Sequence, residues 1–317
     1  MRTSVLTARL SVLLCLFTFL SLRSHSQSIS TGNGKVEIGL GLGPMFFLGD
    51  LGGAKGIGKT FIKDLDLPLT KFSKGIYLNY YPAEFIGVRI AGNLGKVEGN
   101  DAEAPMKGGN EEDRRNRNLS FRSNITEIYG AIEFYPTWFL EKYDGLQGKL
   151  RPYIVAGAGM YKFDPETQDV NGSWVKLAPL HLEGQGFAEY PDRKPYKLTQ
   201  MNLLMGFGFK YYFKENAYIG MEILHRKLFT DYIDDVSQQS YVDPILFDQY
   251  LSPGDAQVAR RLFYRGTYSF PTTRPYSEVA WRGDPKQNDA YFSSILRLGW
   301  RINNNPIDRQ LKCPVFY

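Results

Sequence analysis

The chain has 317 residues, with 38 basic and 33 acidic side chains and a mean hydropathy of −0.32. Beyond residue 27 no stretch stays apolar for the roughly 18 residues that a spanning helix needs, which excludes a helical membrane protein. With Arg2, Arg9 and Arg23 of the N-terminal segment set aside, 35 basic residues face 33 acidic ones, a balance that gives no reason to expect nucleic acid.

Residues 1–26 read as a secretory signal. Arg2 and Arg9 form a basic start, residues 10–22 are mostly apolar, and Ser24 and Ser26 stand three and one places before a cut after Ser26. Cys15 lies inside the apolar run rather than behind a small residue at its end, which argues against a lipoprotein. Cys313 is then the one cysteine left, so no intramolecular disulfide or thiolate metal cage can form.

Eight segments show strand character: residues 35–48, 74–81, 85–96, 119–135, 150–163, 198–213, 217–227 and 290–302. Most alternate with period two, which sends the two sets of side chains to opposite faces. In the last, Phe292, Leu296, Leu298, Trp300 and Ile302 share one face, and Ser293, Ile295, Arg297, Gly299 and Arg301 the other. In 150–163 a Gly/Ala-rich middle leaves the faces open. One set is bulky and apolar; the other is mostly glycine, small or charged. A soluble sandwich has no need of so many glycines on its wetted face. An eight-stranded barrel has an interior just wide enough for side chains to fill, and glycine there makes room for long partners. Arg89, Glu127, Arg297 and Arg301 are expected inside and paired, because an isolated buried charge is costly.

The connections alternate. Those at 82–84, 136–149 and 214–216 are short, whereas 49–73, 97–118, 164–197 and 228–289 are long. Transmembrane barrels have short periplasmic turns and long outer loops. Tyr80, Tyr81, Tyr135, Trp138, residues 211–213 and Trp300 are expected to form interfacial girdles. The fold class expected is therefore all-β: an eight-stranded antiparallel transmembrane β-barrel, with a signal peptide at 1–26, the barrel at 27–302 and a periplasmic tail at 303–317.

Motifs for chemistry are sparse. Residues 53–60 match the phosphate-binding P-loop pattern, but Pro68 interrupts the segment after it and no strand–helix alternation supports it. His181 and His225 are the histidines after the signal; His225 near Asp231 is the one candidate for a rim enzyme. Asp231, Asp234, Asp235 and Asp243 offer oxygen ligands for calcium, at a spacing that fits no recognised calcium loop. The charge run 111–115 reads as a solvated loop. Pro253-Gly254-Asp255 introduces a short helix over 256–262. Arg282-Gly283-Asp284 spells an adhesion tripeptide of almost no specificity. No catalytic, cofactor or metal residue is assigned, and no cofactor is expected.

Five phrases carry a resemblance: Leu48-Gly49-Asp50-Leu51; residues 151–159 (Arg-Pro-Tyr-Ile-Val-Ala-Gly-Ala-Gly); 229–237 (Phe-Thr-Asp-Tyr-Ile-Asp-Asp-Val-Ser); 282–292; and 312–316. Together they resemble a Bacteroidota family of OmpA-like eight-stranded outer-membrane barrels that includes the type IX secretion component PorG. The resemblance implies a location in the cell outer membrane and a docking role in a secretion machine. The partners it implies are outer-membrane lipid and periplasmic ring or lipoprotein subunits. The function expected is a non-enzymatic barrel that anchors or stabilises an envelope assembly. The alternatives are a surface binding or adhesion barrel acting through its long loops and, after it, a rim-located barrel enzyme.

Overall fold

The computed structural model describes residues 35–51, 70–103, 110–140, 146–266 and 282–302. The export segment 1–26, the glycine-rich 53–60 and the tail 303–317 lie outside these residues.

Ten strands run in chain order: β1 (Lys35–Leu48), β2 (Lys71–Ala83), β3 (Ile86–Asn100), β4 (Ser120–Phe134), β5 (Leu150–Lys162), β6 (Pro165–Gln168), β7 (Trp174–Lys176), β8 (Thr199–Lys214), β9 (Ala217–Leu228) and β10 (Ala290–Arg301). Eight of them close a barrel of antiparallel neighbours in the order β3-β2-β1-β10-β9-β8-β5-β4, with β3 pairing back onto β4. The short β6 and β7 form a hairpin that extends β4 at the long-loop end. It escaped the sequence because both strands are too short to show a period.

The register fixes the stagger. From Thr199 on β8 the pairs run through Lys162, Thr126, Leu94, Lys74, Leu42, Leu296 and Met221 to Phe209, again on β8. One circuit thus moves ten residues along the same strand, and a stagger of this kind tilts strands by roughly 35–45°. Strand ends differ from expectation chiefly on β2 and β3. β2 runs from Lys71 to Ala83, its start pairing with β1, Met45 with Lys71, and β3 runs on to Asn100 because its end pairs with β4, Val97 with Ser123 and Asn100 with Ser120.

The two faces separate as the alternation demands. Most outward side chains are apolar and bare, Leu40 54%, Ile76 64% and Phe207 60% exposed among them. A bare apolar wall of that extent is an interaction surface, not a wetted one. Inward stand Arg89, Glu127, Arg297 and Arg301, all buried. The ambiguous β5 resolves with Arg151, Tyr153, Val155 and Tyr161 inside and Ile154, Ala156, Ala158 and Met160 outside. The girdle expectation needs correction. Tyr80, Tyr211, Phe213 and Trp300 do face outward, but Tyr81, Tyr135 and Tyr212 are buried in the lumen. Adjacent strand residues cannot share a face. The Trp138 side chain lies outside the described set.

The long-loop end is folded. It contains helices α1 (Asn110–Arg117), α2 (Leu246–Tyr250) and α3 (Pro253–Leu262). α3 starts at Pro253, earlier than 256, because Ser252 caps it by accepting from the Asp255 backbone N–H at 3.3 Å and proline suits a first turn. The run at 111–115 is not all solvated: it falls within α1, and Arg114 is buried. Leu180, Phe187, Phe247, Ala259, Leu262 and Phe263 belong to a shared apolar core there. Among the described residues no helix is long and apolar enough to cross a membrane.

Candidate functional site

The barrel strands aim side chains into a common lumen. Glu37, Glu127, Glu133 and Glu222 project from β1, β4 and β9, and each meets at least one cation. Lys210 on β8 reaches Glu37 at 2.9 Å and Glu133 at 3.2 Å. Arg89 on β3 pairs with Glu133 and, at 2.7 Å, with Glu222. Arg297 reaches Glu222 at 2.5 Å, Arg301 reaches Glu37 at 2.9 Å, and Arg226 reaches Glu127 at 3.2 Å. Tyrosines supply the rest: Tyr81, Tyr153, Tyr212 and Tyr291 donate to these carboxylates at 2.7–3.0 Å. Glycines opposite make the room. A Cβ at Gly39 would lie 2.2 Å from the Tyr77 hydroxyl, and one at Gly299 would lie 2.4 Å from the Tyr218 ring. The lumen is therefore a packed polar core.

A floor closes the short-turn end. Glu84, in the turn between β2 and β3, takes Lys35 at 2.8 Å, Arg151 at 3.1 Å and Arg301 at 3.2 Å. Burial pushes the Glu84 carboxyl up, but Arg301 and Lys35 outweigh it and bring it down to about 2.

The mouth brings three of the quoted sequence phrases together. Asp50 accepts the Asp284 backbone N–H at 2.7 Å. Asp234 accepts Leu51 N–H at 3.1 Å and Val236 N–H at 3.0 Å. Asp289 accepts Ile233 N–H at 2.9 Å. Two arginines tie the loops. Arg117 forks onto Asp101 at 2.7 and 2.9 Å, and donates to the backbone oxygens of Asp50, at 2.7 Å, and Arg282. Arg282 donates to Glu183 at 2.9 Å and to the Phe263 carbonyl at 2.7 Å. Arg282-Gly283-Asp284 is thus no presented tripeptide, since its arginine is buried in a loop clasp.

Burial raises the mouth acids. Asp50 rises to about 6 and Asp235 to about 7. Asp231 rises to about 10 through burial and then the Asp234 charge. The four acids considered for calcium do not gather as a set. Asp235 instead accepts Tyr196 O–H at 2.7 Å, and Asp243 accepts Ile245 N–H at 3.1 Å. Among the described residues no three His, Cys, Asp or Glu side chains are disposed to hold a metal. His225 is likewise parted from Asp231. It stands on the outward face of β9, paired with Met205 and Phe292, while Asp231 turns into the mouth. His181 sits in a left-handed turn at φ 47° against Phe187.

Of these side chains, Arg226 follows Glu222 and Leu224 by period two and was legible. Glu84, Arg117, Glu183 and Arg282 sit in turns and loops, where no period marks them.

No known family profile matches the sequence, and no curated protein matches it. Solved structures do. The N-terminal β-barrel domain of Pseudomonas aeruginosa OprF is 10% identical over 85% of this chain and 98% of that one, with a TM-score of 0.32. OprG from the same organism is 12% identical over 86% and 98%, with a TM-score of 0.36. Ail, the attachment invasion locus protein of Yersinia pestis, is 10% identical over 86% and 100%, with a TM-score of 0.34. These likenesses concern the fold.

Proposed function

We propose that this chain is a non-enzymatic barrel of the outer membrane that anchors or stabilises an envelope assembly, and that the assembly is a protein-secretion machine of the type IX class. The carrying observation is the contrast between wall and lumen. The wall is bare and apolar where a hydrocarbon layer would cover it, and the lumen is filled by its own ion pairs. A rigid, filled cylinder suits a fixed support better than a conduit. The type IX assignment rests on the five sequence phrases alone. Periplasmic ring or lipoprotein subunits would meet the short-turn end.

The test is fractionation followed by cross-linking. The protein should enter the outer-membrane fraction, shift on a gel when unboiled, and yield cross-links to periplasmic secretion subunits. Recovery from the soluble periplasm would overturn the membrane reading; an outer-membrane barrel with no such cross-links would overturn the secretion reading.

One observation favours a second reading, surface binding through the long loops. The loops share a core, yet Val170 and Ile245 in the same loops remain 74% and 56% exposed. Val170→Ser with Ile245→Ser should weaken surface attachment if that reading is right, and leave secretion unchanged.

A further inference from the structure

The outward charges of the strands gather toward the long-loop end, with Lys214 on β8 the exception at the short-turn end. Lys74, Lys96, Lys162 and Lys227 point outward toward the long-loop ends of β2, β3, β5 and β9. None has an acidic partner among the described residues. The outward acid nearby, Glu98, is taken by Lys71 at 3.0 Å, and the outward Arg122 by Glu166 at 3.0 Å. In the lumen, by contrast, every carboxylate is matched. Unpaired lysines around one end of an apolar belt call for anions from outside the chain, and lipid headgroups supply them there.

Two of these lysines crown a groove. Lys96 pairs with Asn124 and Lys162 with Thr126, so they flank β4 on either side at consecutive outward positions. Strand spacing and rise put their Cα atoms roughly 12 Å apart. Beneath them a shallow groove of about 320 Å³ is lined by Ile90, Ile128, Gly130, Ala158, Met160 and Met201. At Gly130 its floor is small for no reason internal to the chain. A Cβ at Gly130 would meet nothing closer than 3.9 Å, and one at Gly92, which pairs with the lining residue Ile128, nothing closer than 4.0 Å. The inward Gly157 differs, since its Cβ would lie 2.1 Å from a backbone oxygen. A glycine within a strand that its own fold does not require marks a close approach by something else.

We propose that the β3–β4–β5 face seats one phosphorylated lipid, its acyl chain along the groove and its phosphate between Lys96 and Lys162. The inference rests on the membrane placement proposed above. An apolar chain fits the unlined floor, and an anion fits two unpaired ammonium groups at its end. A second barrel would answer the groove but leave both lysines unmatched.

The experiment uses the full chain, folded in neutral detergent and titrated with bis-phosphorylated lipid A, with retention read by native mass spectrometry. Folding is scored first by the unboiled gel shift, so a barrel that never enters micelles counts against the membrane placement and not against the site. One molecule should be retained, and dephosphorylated lipid A or inorganic phosphate should not replace it. Lys96→Gln with Lys162→Gln should weaken retention about thirty-fold, at about five-fold per lysine. Gly130→Leu with Ala158→Leu should abolish it by filling the groove. Lys74→Gln with Lys227→Gln should leave it unchanged. Equal loss from either lysine pair would show diffuse attraction and overturn the site, as would full retention by the filled groove. Loss of a dimer in place of a lipid would make the occupant a second copy and also overturn it.

Discussion

Arg226 on β9 and Glu127 on β4 face each other across the lumen and join twice, Nε to Oε1 at 3.3 Å and Nη2 to Oε2 at 3.2 Å. Their strands are not neighbours, so the pair is a strut across the cylinder rather than a rung of the sheet. Glu127 also accepts Asn93, Asn202 and Tyr291 at 3.0, 2.7 and 3.0 Å.

Breaking the strut from either side should be costly. Arg226→Met leaves a buried carboxylate without its cation, and losses of about 3–5 kcal/mol accompany such changes. Glu127→Gln strands the guanidinium in turn. The double variant should cost clearly less than the sum, because neither charge is then left alone. Urea unfolding of the three variants in detergent measures this, and strict additivity would refute the strut.

A lumen packed in this way should not conduct. Purified protein in planar bilayers should give no stable conductance steps. Arg89→Ala with Glu222→Ala removes two long side chains from the middle of the plug and is the variant most apt to admit ions. Steady openings in the unmodified protein would mean that the lumenal network parts in the membrane.

Facing sets the cost of a new charge. Leu296 stands outward and half exposed within the belt, so Leu296→Arg should cost about 2–4 kcal/mol. Thr126 is outward beside Lys162, and Thr126→Arg near the belt's edge should cost about 0–1 kcal/mol. Ser293 is fully buried and already accepts Arg226. Ser293→Arg, which a roomy lumen would tolerate, should therefore fail to fold. Unfolding free energies of the first two variants and the unboiled gel shift of the third give the comparison.

How far the sequence reached depends on what is periodic. The strands and their inward charges were legible, because a side chain's direction in a strand depends on its parity and little else. Arg89, Glu127, Arg297 and Arg301 went where parity sent them. Tyr81, Tyr135 and Tyr212 went inward by the same rule, against an expectation drawn from residue type at strand ends. The loops were not legible. Arg117 and Arg282 bind partners from other loops, up to 165 residues away in the chain, and no local pattern encodes such a clasp. No pattern marked the mouth acids as buried, since aspartate is usually solvated; Leu51, Ile233 and Val236 offer them backbone N–H groups there.

The two ends of the barrel should answer pH with opposite sign. At the floor Glu84 is held down to about 2, from an ordinary value of 4.5, by Arg301 and Lys35 against the penalty of burial. Its contribution is present above about 4.5 and is lost as pH falls toward 2. At the mouth Asp50, Asp235 and Asp231 are raised by burial to about 6, 7 and 10. There the folded state holds more protons than the unfolded one, so stability is fullest below about 4 and declines as pH rises through those values. Each raised carboxyl removes at most about 1.4 kcal/mol per pH unit within its window. Hydrogen exchange on the full-length protein can read the ends separately. Between pH 6 and 9, protection at residues 229–237 and 282–289 should fall, while protection at residues 82–86 stays level. Asp231→Asn removes one ionisable group from the crowded mouth and should flatten the upper part of that decline. Glu84→Gln should leave the mouth untouched and loosen the floor already at neutral pH, because it removes the negative charge that three cations share. If protection at the mouth rose with pH, the buried aspartates would have to be ionised and matched by cations, and their raised titration would be ruled out.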